Sequence, residues 1–320
     1  MEARDTMNKS APPIGLAILG STGSVGRQTL EVVDRHPERF RVVALAARHR
    51  SPRFERQIAR WRPDLSAISD PAGGGVEHGQ LVVGPEALAA AATHPDVDIV
   101  VAATSGHAAM VPTYQAIAAG KTIALANKET IVCAGGLIVP FAAERGVELH
   151  PVDSEHSALW QALQAGRASD VRRLILTASG GPFRSLSAAE LSGVTVEQAL
   201  AHPTWSMGDK ITIDSATMMN KGLEIIEAHW LFGIPYERID VVIHPESIVH
   251  SLVEFVDNSQ IAQLGLPDMR LPIQYALTYP ERLPGPGQAL SLADIGALHF
   301  EPSDDARFPA LRLAREAGQL

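Results

Sequence analysis

From Ile14 onward, short unbroken apolar runs alternate with longer segments in which apolar positions recur every three or four residues. "IGLAILG", "FRVVALAA", "LSAISD", "VDIVVAAT", "KTIALAN" and "GVELHPV" are runs; "RQTLEVVDRH", "FERQIARW" and "MVPTYQAIAAG" lie between them. A strand buried on both faces reads as a continuous Val/Ile/Ala run, and a helix between two such strands implies a right-handed crossover. The pattern therefore predicts an α/β fold with an N-terminal doubly wound, Rossmann-like parallel sheet over residues 13–150. Residues 1–12, polar and running into "APP", read as a disordered tail.

The second half has another rhythm. "RRLILTASGG" and "KITIDSAT" read as strands, and "IDVVIHPESIVHSLVEFVDNSQIAQLG" as neighbouring strands turning at "DNS". An α+β domain with an antiparallel or mixed sheet is expected over 151–280. Inside it, residues 183–209 are rich in Ser, Gly and Pro without clear period, and predict a lid loop. "PERLPGPGQALS" predicts a linker over 281–303. Residues 304–320 then read as the first helix of a helical part, with Asp304 or Asp305 as cap and Leu311, Leu313 and Ala314 on one face.

Composition narrows the function. With 320 residues the chain exceeds one core, and 27 Lys plus Arg against 36 Asp plus Glu give a net charge of −9. No basic face is available for a nucleic-acid backbone, so small-molecule chemistry is expected. No apolar run approaches the roughly 20 residues that span a bilayer, and the N-terminal run lacks the flanks of a signal peptide. The one cysteine, Cys133, reads as a buried small apolar residue in a reducing compartment. A cytoplasmic protein bound to neither membrane nor nucleic acid follows.

The candidate chemistry starts at "GSTGSVG", with glycines at 20, 23 and 26 between the first strand and the first helix. Such a loop lets backbone approach a pyrophosphate at a helix N-terminus, and here it predicts a dinucleotide site. The second strand runs into Arg48, His49 and Arg50 rather than an acid, which favours a 2′-phosphate and hence NADP. Asn127, Lys128 and Glu129 end another strand, where ligands sit in doubly wound sheets. In "HPVDSEHSAL", Asp153 and Glu155 flank Ser154, and a helix cap, an acid/base pair and part of a metal site all fit. In "HPTWSMGDKITIDSATMMNKGLEIIEAHW", Ser215, Asn220 and Lys221 suit a phosphate monoester, and Glu224 adds a third acid. His202, Trp205 and Met207 fall in the expected lid.

At these residues the chain resembles the 1-deoxy-D-xylulose 5-phosphate reductoisomerase family of the methylerythritol phosphate route to isoprenoids. "GSTGSVG", "LANKE", "PVDSEH", "SGGPF", "HPTWSMG", "DSATMMNKGLE", "HPESIVHS" and "LPDMRLPI" carry the resemblance, in one order across both halves. It implies Asp153, Glu155 and Glu224 as ligands of Mg2+ or Mn2+. It assigns Ser179, Ser215, Asn220 and Lys221 to the substrate phosphate, with Ser154, Lys128 and His202 near the substrate carbons; the indole of Trp205, read from its place in the expected lid, would cover a small substrate. Thr22, Gly23, Ser24, Val25, Asn127, Glu129 and Gly208 would contact NADPH. The implied reaction is rearrangement of a sugar phosphate, most simply by retro-aldol cleavage and re-addition, then reduction to 2-C-methyl-D-erythritol 4-phosphate by a homodimer. Where Arg48 and Arg50 stand the family has Gly and Asn. Members also continue into a C-terminal helical domain, so a fragment or truncated product is expected. Two other readings are a simple NADP-dependent dehydrogenase of the homoserine or semialdehyde type, and a non-catalytic nucleotide-binding or dimerisation fragment.

Overall fold

Seven strands form the first sheet: β1 (Ile14–Leu19), β2 (Phe40–Ala47), β3 (Leu65–Ile68), β4 (Gln80–Val83), β5 (Ile99–Ala102), β6 (Thr122–Leu125) and β7 (Leu149–Pro151). A computed structural model describes residues 12–70, 78–204 and 208–320. The strand order is β4-β3-β2-β1-β5-β6-β7, and every pairing is parallel. Residues of β1 alternate between two cores, which is why its apolar run is unbroken. Leu16 and Ile18 meet Leu30, Phe54 and Ile58 on one face; Ala17 and Leu19 meet Ala116, Ile117 and Ile131 on the other. Each buried Leu or Ile contributes roughly 1.5–3 kcal/mol relative to exposure.

The second sheet consists of β8 (Val171–Ala178), β9 (Ile239–Ile243), β10 (Val249–Phe255), β11 (Gln260–Leu264) and β12 (Glu301–Pro302), in the order β11-β10-β8-β9-β12. β8 and β9 are parallel and the other pairs antiparallel, so the sheet is mixed. The turn at "DNS" joins β10 to β11, with Asn258 at φ 67° and Asp257 accepting from the Ser259 N–H at 3.0 Å. The helix Arg270–Thr278 then returns to the first sheet, where Ile273, Ala276 and Leu277 join the core beside Leu30 and Phe54.

Several expectations are corrected. "KITIDSAT" is not a strand: Asp209–Ala216 is a helix. Its Ile-Thr-Ile alternation mimics period two, but Thr212 and Ala216 are buried one turn apart and Lys210 pairs with Asp214 at 2.6 Å, both helical spacings. Residues 183–209 hold two short helices, Ala188–Leu191 and Val196–Leu200, each started by a capping box, Ser187 with Glu190 and Thr195 with Gln198. The stretch 281–303 contains the helix Leu292–Ile295 and the strand β12. The last helix begins at Ala310, after a turn in which Asp304 accepts from the N–H groups of Ala306 and Arg307; Leu313 faces solvent. Cys133 is exposed, not buried. Residues 1–11, 71–77 and 205–207 lie outside the described residues, and with them most of the expected tail. Among the described residues no helix is long and apolar enough to cross a membrane.

Candidate active site

β1 pairs with β2 on one side and β5 on the other, so the crevice beyond their carboxyl ends is where a doubly wound sheet binds ligands. The "GSTGSVG" loop sits there and leads into the helix Ser24–Arg35, with Gly23 at the N-cap position. Gly26 has no room for a side chain: a Cβ would lie 2.4 Å from the Gly20 carbonyl oxygen and 2.6 Å from Ser21 Cα. The first-turn N–H groups of Ser24 and Val25 have no intrahelical acceptor and are available to an anion. Gly23 and Ser24 are exposed and Thr22 is half-buried. At the end of β2, Arg48 and His49 approach Asp70 at 3.6 and 2.8 Å, and Arg50 pairs with Glu55. Arg53, which the sequence did not single out, reaches the Thr22 carbonyl at 3.4 Å.

Asn127 is buried and its side chain is fully engaged. Its Oδ1 accepts from the Thr130 N–H, capping the helix Lys128–Arg145, while Nδ2 donates to the carbonyls of Thr104 and Gly106 at 2.8 Å. It thereby holds the loop after β5. Nδ2 also lies 3.0 Å from Glu129, whose other oxygen meets Lys210 at 3.0 Å in the helix that Gly208 caps. Asn127, Glu129 and Gly208 are so linked to one another beside the loop after β5.

The three acids come from two helices. Asp153 stands at the N-cap position of the helix Ser154–Leu163 but makes no side-chain capping bond, which removes the simplest of its readings. Glu224 projects from the helix Met219–Phe232, entered through Met218 in the left-handed region at φ 60°. This helix lies against Lys128–Arg145 because Gly135 leaves room for Trp230; a Cβ there would sit 2.3 Å from the indole. The approach brings Lys128 Nζ to 2.6 Å from Asp153 Oδ2, 3.1 Å from Glu224 Oε1 and 2.7 Å from Asn220 Oδ1. Lys221 Nζ lies 2.8 Å from Glu155 Oε1 and also contacts Glu224. Ser154 donates to Glu155.

Burial and charge set the protonation of this group. Burial alone would raise Asp153, yet the Lys128 ammonium, aided by His156, holds it at about 2. Glu155 is likewise pushed up by burial and pulled below its ordinary range by Lys221. Glu224, fully buried and beside Glu155, is raised to about 7 despite both lysines. Desolvation works against the ammoniums of Lys128 and Lys221, but the facing carboxylates carry both above the ordinary lysine value. Oxygen donors with an excess of buried negative charge fit a hard divalent cation. Asp153, His156 and Glu224 each offer an atom within 4.8 Å of the others. Glu155 stands outside that convergence and meets Glu224 through their shared partner Lys221.

The phosphate-type donors lie at the adjoining helix ends. Gly181, at φ 66°, brings the loop after β8 against the Ser215 carbonyl, so Ser179 and Ser215 fall near each other. The half-buried His202 has Nε2 3.1 Å from Ser179 Oγ, with Nδ1 accepting from the Thr204 N–H. Burial, then the charge of Arg184, lowers its pKa. Arg307 donates to the carbonyls of Arg184 and Leu186 at 2.9 and 2.8 Å, fixing the base of this segment. Trp205 lies outside the described residues. Besides Arg53, sequence reasoning missed His156 and Glu227, both fully buried behind the acids; their signal was the three-residue spacing from Asp153 and Glu224 on two helices.

Models of known families match three stretches: "1-deoxy-D-xylulose 5-phosphate reductoisomerase" over residues 16–135, its "C-terminal domain" over 149–232, and "DXP reductoisomerase C-terminal domain" over 264–320. A 1-deoxy-D-xylulose 5-phosphate reductoisomerase from Thermomicrobium roseum is 58% identical over 307 residues, 95% of this chain and 80% of that protein. The solved reductoisomerase from Zymomonas mobilis in complex with NADPH superposes with a TM-score of 0.88 at 43% identity, covering 96% of this chain and 81% of that one. A DOX-P reductoisomerase in complex with NADPH, fosmidomycin and magnesium gives 0.90 at 42%, covering 96% and 79%. With the acids and glycine loop placed as described, the chain belongs to the 1-deoxy-D-xylulose 5-phosphate reductoisomerase family.

Proposed function

We propose that this chain converts 1-deoxy-D-xylulose 5-phosphate to 2-C-methyl-D-erythritol 4-phosphate, using NADPH and Mg2+ or Mn2+. The observation that carries this reading is the cluster of Asp153, Glu155 and Glu224 held beside a dinucleotide-type crevice. A simple dehydrogenase has no use for three converging acids.

Asp153, Glu155 and Glu224 would hold the cation, which supplies Lewis acidity to the substrate's carbonyl and neighbouring hydroxyl. Cation binding removes the need for Lys128 and Lys221 to neutralise the acids. Lys221 and Asn220, at the start of their helix, then join Ser179 and Ser215 in binding the substrate phosphate. That group is remote from the bonds that change, so its binding energy can hold the substrate and draw in the segment carrying His202. Lys128 and Ser154 flank the carbon chain. NADPH would supply the hydride for the aldehyde; Thr22, Gly23, Ser24 and Val25 would hold its pyrophosphate, Arg48, His49 and Arg50 its 2′-phosphate, and Asn127, Glu129 and Gly208 would make further contacts to it.

The exposed thiol of Cys133 and the demand for NADPH fit a reducing cytoplasm. A homodimer through the open face of the second sheet is supported by Ile175, Val242, Leu252 and the half-exposed Phe300, which line a cavity of about 600 Å³. NADPH oxidation by purified protein with substrate and Mn2+ tests the activity. It should vanish with EDTA and in Asp153→Asn; turnover surviving both would overturn the reading. Light scattering tests the dimer.

A further inference from the structure

Behind the acids lies a pair of side chains with no part in the reaction as proposed. Glu227, one turn beyond Glu224, is fully buried, and neither carboxylate oxygen has a hydrogen-bond partner among the described residues. His156, equally buried, faces it with Nδ1 3.5 Å from Oε2. The same Nδ1 lies 3.7 Å from Asp153 Oδ2, and Nε2 lies 2.9 Å from the Glu224 carbonyl oxygen. One imidazole thus touches the side chain of one acid and the backbone of another.

The arrangement constrains where protons sit. A carbonyl oxygen can only accept, so Nε2 carries a hydrogen and donates to Glu224. Nδ1 then faces two acids: Asp153, which Lys128 already meets at 2.6 Å, and Glu227, whose oxygens have no hydrogen-bond partner among the described residues. Removing Glu227 alone would leave His156 without its facing carboxylate, so a loss of stability by itself would not reveal a role at the cation site. Partners standing behind metal ligands, by contrast, set ligand orientation and commonly affect affinity by about 10–100-fold.

We propose that Glu227 is a positioning residue for the cation site, acting through His156 to fix the Asp153 side chain and the Glu224 backbone. This rests on the reading of Asp153, Glu155 and Glu224 as cation ligands. Mn2+ binding to the otherwise unliganded full chain, followed by the electron paramagnetic resonance of free Mn2+, tests it without turnover. Glu227→Met keeps the volume and should bind Mn2+ about 10–100-fold more weakly than the parent, measured at a temperature where both are folded in EDTA. Glu227→Gln can still donate a hydrogen to Nδ1, so its affinity should fall nearer the parent than Glu227→Met. Parent-like affinity in Glu227→Met, or equal loss in both variants, would each overturn the positioning role, and Glu227→Gln with parent-like stability but no difference from Glu227→Met in affinity would do the same. Asp153→Asn separates the two claims: if it keeps parent affinity, the cation-site reading itself falls.

Discussion

Lys128 Nζ lies 2.6 Å from Asp153 Oδ2, an ammonium from the nucleotide-binding half held against an acid of the second half. Together with Lys221 on Glu155 and Glu224, it supplies the positive charge that a divalent cation would otherwise bring. Removing one partner of a buried pair strands the other charge, at a cost of about 3–5 kcal/mol. Lys128→Met should therefore lower the melting temperature in EDTA, and Mn2+ should raise it by more in the variant than in the parent. Thermal melts with and without the ion check this.

Glu224 sets a pH dependence. Its pKa of about 7 in the folded, metal-free chain exceeds the ordinary 4.5, so the folded state binds this proton more tightly than the unfolded one. Between about pH 4.5 and 7 stability should fall as pH rises; Asp153, depressed to about 2, contributes stability above its unfolded value that is lost only in strong acid. Mn2+ must displace the Glu224 proton at low pH. Calorimetry should show affinity rising from pH 6 to 8, with proton release below pH 7, and Glu224→Gln should abolish tight binding.

Arg48 and Arg50 stand exposed at the end of β2 with acidic neighbours that hold them in place. If they meet the 2′-phosphate, each charge-assisted contact contributes about 1.5–3 kcal/mol. Arg48→Ala with Arg50→Ala should weaken NADPH roughly tenfold or more and leave NADH unchanged. Equal losses for both nucleotides, measured by fluorescence titration, would place the phosphate elsewhere.

Gly135 tests the packing that joins the halves. Gly135→Ala forces the Trp230 indole away and should cost about 1–3 kcal/mol in urea unfolding. Because this displaces the helix bearing Asn220, Lys221 and Glu224, Mn2+ affinity should fall while NADPH binding stays near the parent's.

The first sheet was legible because its strands are buried on both faces, so Leu16, Ala17, Ile18 and Leu19 write their burial directly into an apolar run. Asp209–Ala216 was misread because Ile211, Thr212 and Ile213 carry strand propensity, while the features that make a helix there, Lys210 with Asp214 and the burial of Thr212 and Ala216, depend on neighbours. The capped helices at 188–191 and 196–200 were visible as Ser-x-x-Glu and Thr-x-x-Gln but are too short to show a period.

Local order along the chain determined the alternation of strand and helix, the glycine loop at a helix entrance and the types of donor available, since each rests on residues within one or two turns. Tertiary structure alone decided which charges meet. Lys128, Asp153 and Glu224 are far apart in sequence, and their distances follow from Gly135 admitting Trp230 and from the chain turning at Met218. The roles of His156 and Glu227 were hidden for the same reason. A buried histidine or glutamate looks like any other until the atoms it faces are known, and those atoms come from another helix.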